Sequence, residues 1–227
     1  DRHYLGRMVS AKVLGKYPKV LRADHPRLQY VRSILVTLAR YSRVPYVYQE
    51  YVPIVIHDQA INAFAAPGGF VFITTGMLDF VINEDELALI LAHELSHVEL
   101  NHGVSAVTNA EGAKLMSQFV GDITGGAGMS QLVDGLLDFG EKGYDVSVEA
   151  EADARGLFIA QQAGYDPTVF PPLMERLKKV VGHYGGEGYP KERADLVRRQ
   201  LVNNRYLGSR GSLEVRSDRF RMVMNRN

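Results

Sequence analysis

The stretch His93-Glu94-Leu95-Ser96-His97 sets two imidazoles four residues apart, with a carboxylate between them. On a helix, residues i and i+4 share a face one turn apart. Two imidazole nitrogens there can converge on one cation, at the roughly 2.0–2.1 Å of a zinc–histidine bond. Glu94 is turned about 100° from His93 around the helix. Its carboxylate therefore stands beside the metal, where it can take a proton from water as general base. A helix with two surface histidines would give the same five letters. The context argues against that: the segment is otherwise apolar, and ionisable groups are costly to bury without partners.

A catalytic zinc keeps three protein ligands and one open position. The chain has no cysteine, so every ligand must be His, Asp or Glu. Glu149-Ala150-Glu151-Ala152-Asp153 again offers an i, i+4 pair. Glu149 reads as the third ligand and Asp153 as the acceptor that orients a ligand histidine. An ordinary solvated acidic face has the same spacing. His102 lies five residues after His97, about 140° around the helix, and reads as structural or outer-shell. His3, His25 and His57 have no ligand spacing.

These groups need helices to carry them. Asn83 is a good N-cap with Glu86 at the capping-box position, and Glu84 and Asp85 suit the positive end of the dipole. Leu87, Ile90, Leu91, Leu95 and Val98 extend the apolar face to about Leu100. A second strong helix is expected over 146–163, closed by Gly164 and Asp166-Pro167. Amphipathic helices are expected over 3–17 and 27–41, and others over 168–182 and 191–204. Two β-rich runs, 51–57 and 70–75, flank DQAINAFAAPGG and read as a hairpin or small antiparallel sheet. The Gly-rich stretch 121–143 reads as a mobile connection with a short amphipathic piece at 132–139.

Composition sets limits. There are 227 residues, with 26 Lys and Arg against 26 Asp and Glu. That length suits a single domain, with a core over about 4–204 and a C-terminal tail over 205–227 that could lead to a removed domain. The charge balance points to no nucleic-acid partner. The Arg-rich stretch from Arg198 to Arg226 reads as a solvated, partly disordered terminus. No run approaches the roughly 18 apolar residues of a membrane span, so membrane association would come only from parts outside this chain. The first residue is Asp1 and no signal-like segment follows it, as in a trimmed product. The oligomeric state is not fixed by the sequence.

Three ordered motifs then give a resemblance. INAFAAPGGFVFITTGML, NEDELALILAHELSHVELNH and VEAEADARG, followed by QAGYDP, resemble the soluble, exported branch of the HtpX-like and CAAX prenyl protease metallopeptidases, which are gluzincins. The resemblance covers about residues 4–200. It implies an α+β, mainly helical zincin-like fold with a small antiparallel sheet beside the HExxH helix. It implies one zinc per chain on His93, His97 and Glu149, with Glu94 as base and Asp153 as the Asp of the ExxxD pattern. It implies protein or peptide substrates and a periplasmic or otherwise exported bacterial location, in envelope protein quality control. Asn62 and the Pro67–Gly69 turn match the segment beside the active-site strand. Gly69, Phe70 and Val71 are then expected to bind substrate, with 70–74 as the edge that pairs with it. The family's His-Pro pair is replaced here by Tyr189-Pro190, with Arg193 closer than usual. Tyr189, a phenolic donor, or the nearby His183 is the expected stand-in. That departure, with the Gly-rich segment, leaves a second reading open: a zinc-bearing chaperone or binding module with latent or weak proteolysis.

Overall fold

Glu84–Leu100 forms a helix in which 15 of 17 residues are buried, charged ones included. A helix apolar or shielded on all sides belongs in the middle of a structure, and the rest of the chain is arranged around this one. The computed structural model describes residues 2–44, 50–108, 127–181, 191–204 and 213–225. In chain order the elements are α1 (Arg2–Lys16), α2 (Pro26–Ala39), β1 (Val52–Ile56), β2 (Ala63–Ala66), β3 (Phe70–Thr74), α3 (Thr75–Phe80), α4 (Glu84–Leu100) and α5 (His102–Thr108). There follow α6 (Ala127–Lys142), α7 (Val146–Gln162), a 3₁₀ turn (Pro167–Val169), α8 (Phe170–Val181), α9 (Lys191–Asn203) and α10 (Leu213–Met224). The fold is α+β and mainly helical, as expected.

The two motif helices pack directly on each other. Gly156 makes this approach possible: a Cβ at this position would lie 3.0 Å from the His93 nitrogen. Asn83 caps α4 through its side chain, which accepts from the Glu86 N–H at 2.8 Å. Glu86 reaches back to the Ile82 N–H, one residue before the cap. Asn101 closes α4 in the left-handed region, φ 60°. Gly164, φ 88°, ends α7 at the expected stop.

The sheet departs from the expected hairpin. The order is β1-β3-β2, with β1 parallel and β2 antiparallel to β3. β2 is Ala-Phe-Ala-Ala, which has no β-branched residue to announce a strand. It takes the antiparallel place through the Pro67-Gly68-Gly69 turn, where both glycines have positive φ. Residues 70–74 are thus a central strand, and the edge lies elsewhere.

Two stretches that read as loose are ordered helix. α6 occupies 127–142 and buries Val133, Leu136 and Leu137 against the β2 and α1 side of the sheet. α10 occupies 213–224 within the expected tail, with Phe220 and Met224 in the main core. Two of its arginines reach buried acids instead of standing free in solvent. Arg219 pairs with Glu84, and Arg216 meets Asp85 at 3.0 Å, while Arg176 of α8 meets Glu86 at 2.6 Å. All three acids of the first turn of α4 are buried and neutralised this way. Asp85 also accepts from the Asp166 N–H at 2.8 Å. Removing one partner of a buried pair leaves a charge without compensation, at about 3–5 kcal/mol. Arg216→Ala should therefore lower unfolding free energy by about that much in urea titrations. Asp85→Asn with Arg216→Met should cost less than the two single changes together.

Candidate active site

α4 and α7 bring His93, His97 and Glu149 to one point. Their donor atoms all lie within 4.8 Å of one another, and all three residues are buried. His93 Nε2 is 3.0 Å from His97 Nε2 and 3.3 Å from a Glu149 oxygen. His97 Nε2 is 3.7 Å from the other Glu149 oxygen. A tetrahedral ion with ligands at 2.0–2.1 Å would hold its donors about 3.3 Å apart. The observed separations bracket that value, so the donor set fits such a metal ion.

The second nitrogen of each imidazole is engaged, which aims Nε2 at the shared point. His93 Nδ1 lies 2.9 Å from Asp153 Oδ1, on the same face of α7 as Glu149. His97 Nδ1 lies 2.9 Å from His102 Nδ1, and His102 Nε2 is 3.5 Å from Glu151. Donation from His97 to His102, and from His102 to Glu151, leaves the His97 Nε2 lone pair for a cation. The outer-shell reading of His102 matches this position. Glu151, which points away from the metal point, serves that histidine.

Arg193, which the resemblance sets against the Arg that follows the family's His-Pro pair, joins the site, and so does Tyr144. Arg193 of α9 pairs with Asp153 (2.8 Å) and with Glu149 (2.7 Å). Tyr144 donates its backbone N–H to Glu149 at 3.0 Å and stacks its ring on His97, centroids 4.7 Å apart. The one cue for Arg193 is its place just after Tyr189-Pro190. Tyr144, between two helices, gives none. Tyr189 and His183 lie outside the described residues.

The electrostatics favour a positive charge where the donors meet. Burial opposes charging His93, yet Asp153 and Glu149 outweigh it and raise its pKa to about 10. His97 is pushed well below the usual histidine range, by burial and then by the charge of His93. Glu149 is held well below the carboxylate range against its burial, by His93 and Arg193. Glu94 is pushed up to about 8 by burial, while His93 and Arg193 pull the other way.

Gly69, Phe70 and Val71 do not form a substrate edge. Phe70 and Val71 pair with β1 on one side and β2 on the other, and the Gly69 carbonyl accepts from the Val52 N–H at 2.9 Å. The edge next to α4 is β2. Asn62 hydrogen-bonds Thr74 through its carbonyl, at 3.0 Å. By antiparallel alternation the polar groups of Ala63 and Ala65 then face away from β3.

Residues 26–183 match the model of peptidase family M48. The chain belongs to this family. M48 relatives include the mitochondrial metalloendopeptidase OMA1 of Schizosaccharomyces pombe, 31% identical over 77% of this chain and 51% of its own. They also include the β-barrel assembly-enhancing proteases of Yersinia pestis and Escherichia coli K12, both 28% identical over 71% of this chain and 36% of theirs. The chain thus spans about half or less of the length of these proteins. As an M48 member it is a metallopeptidase domain, and His93, His97 and Glu149 form a buried cluster that could hold a metal ion.

Asp153 tests the orienting contact. Loss of such an outer partner costs about 10–100-fold in metal affinity. Asp153→Asn should show that loss in competition with a chromophoric chelator. Unchanged affinity would mean the contact with His93 Nδ1 does not orient the ligand.

Proposed function

We propose that this chain is a zinc-dependent endopeptidase acting on protein substrates, with His93, His97 and Glu149 holding one zinc and Glu94 as general base. The observation that carries it is the convergence of two oriented imidazoles and a carboxylate beside a buried glutamate one residue along the same helix. When bound, zinc would polarise the scissile carbonyl and lower the pKa of a water toward about 7. Glu94 accepts the proton of the attacking water and returns it to the leaving amine. Asp153 and His102 hold the two imidazoles in their ligating tautomers. The outer edge of β2, which no described strand pairs, is led into by Asn62 and receives the substrate backbone as an added strand.

Protein quality control in an exported bacterial compartment is part of this proposal. It is supported by bacterial relatives whose name ties them to β-barrel assembly. The OMA1 relatives are named as mitochondrial. Among the described residues no helix is long and apolar enough to cross a membrane.

The test is reconstitution. Degradation of an unfolded protein such as reduced casein should stop on chelation and return with one equivalent of zinc. Degradation that persists without metal would contradict the proposal.

A further inference from the structure

We propose that the cavity beside His97 is a subsite for one bulky apolar side chain of the substrate, adjacent to the bond being cut. This rests on the peptidase reading above. The cavity has a volume of about 190 Å³. A cavity of about 150 Å³ with apolar walls accepts benzene, so the space suits a phenyl or leucyl group. Its apolar walls include Ala65 and Pro67 at the end of β2, Val98 in the last turn of α4, Val104 of α5, and Tyr144 before α7. The exposed Arg2, the buried His3 and the half-buried Asn101 add polar groups to the lining.

Two features tie this space to the metal centre. His97 itself lines it, and the Tyr144 ring that lines it is stacked on His97. A group entering the cavity therefore lies against the ligand side chain. The outer edge of β2, unpaired among the described residues, adjoins it as well. A strand added to that edge sends alternate side chains to opposite faces of the sheet. Ala63, on the same face as Ala65, packs against the core around α4. Side chains of an added segment on that face point toward α4, and near Ala65 this direction leads to the cavity. The small side chain of Ala65 leaves the space open. The guanidinium of Arg2 disfavours a basic occupant.

The subsite is tested by binding, independently of cleavage. Fluorescein-labelled Gly/Ser nonapeptides, with Phe moved through the central five positions, are titrated against the zinc-loaded Glu94→Gln protein by anisotropy. One position is expected at which Phe or Leu tightens binding about tenfold or more over Gly, and Lys does not. Val98→Phe, in the same background and with zinc content intact, should abolish that gain. Ala65→Leu should do the same from the opposite wall, which guards against a folding defect in either variant. No position favouring Phe over Gly, or a preference that survives both substitutions, overturns the subsite. Failure of the wild-type chain to cut any peptide would instead overturn the peptidase reading, whatever the binding series shows.

Discussion

Glu94→Gln is expected to lower the turnover of an unfolded protein substrate by roughly 10²–10⁴-fold, the range for loss of a general base, while zinc content stays at one per chain. Gln has the size and shape of Glu but cannot accept the proton. The three proposed ligands keep their surroundings in the variant: Asp153 and Arg193 around His93, His102 behind His97, and the Tyr144 N–H on Glu149. Stability should not suffer either. Burial already disfavours the charged form of Glu94, pushing its pKa up to about 8, and a neutral amide removes that penalty. Circular dichroism, metal analysis and a cleavage assay on one preparation check all three points. Retained cleavage would remove Glu94 from the mechanism.

The second large effect is thermal. A metal that binds only the folded chain stabilises it by about 4 kcal/mol at 1,000 times its dissociation constant. For a domain of this size, each kcal/mol moves Tm by about 2–4 °C. Zinc should therefore raise Tm by roughly 8–16 °C in the wild type, and a chelator should reverse the shift. Glu149→Ala should abolish the shift, because one of the three donors is gone. The variant also removes one of the two carboxylates that pair with Arg193 and keeps the other, Asp153. Scanning calorimetry with and without zinc reads both effects. A zinc shift of full size in Glu149→Ala would show that the carboxylate is not a ligand.

The parts of the site governed by local geometry are legible in the sequence. His93, Glu94 and His97 follow from helix periodicity, and the Asn83 cap and Gly164 stop follow from terminus chemistry. Glu149 and Asp153 come from the same periodicity on a second helix. Their approach to His93 depends on Gly156, whose role shows only when two helices meet. What stays hidden depends on distant partners. The α10 arginines look solvated because Glu84 and Asp85 are more than 130 residues away. β2 has one strand-forming side chain, Phe64, among alanines and does not read as a strand; the resemblance puts the substrate edge at 70–74, whose all-buried pattern is that of a central strand. Tyr144 reaches the site from outside the motifs, and Arg193 is marked only by its place after Tyr189-Pro190; neither residue type announces such a role.

Anomalous diffraction at the zinc edge, on crystals of zinc-loaded Glu94→Gln protein, tests the central claim most directly. A single peak bonded to Nε2 of His93, Nε2 of His97 and the Glu149 carboxylate, with the substituted amide side chain at position 94 beside it, is the predicted result. A peak that lacks Glu149, or lies away from α4 and α7, would contradict the account.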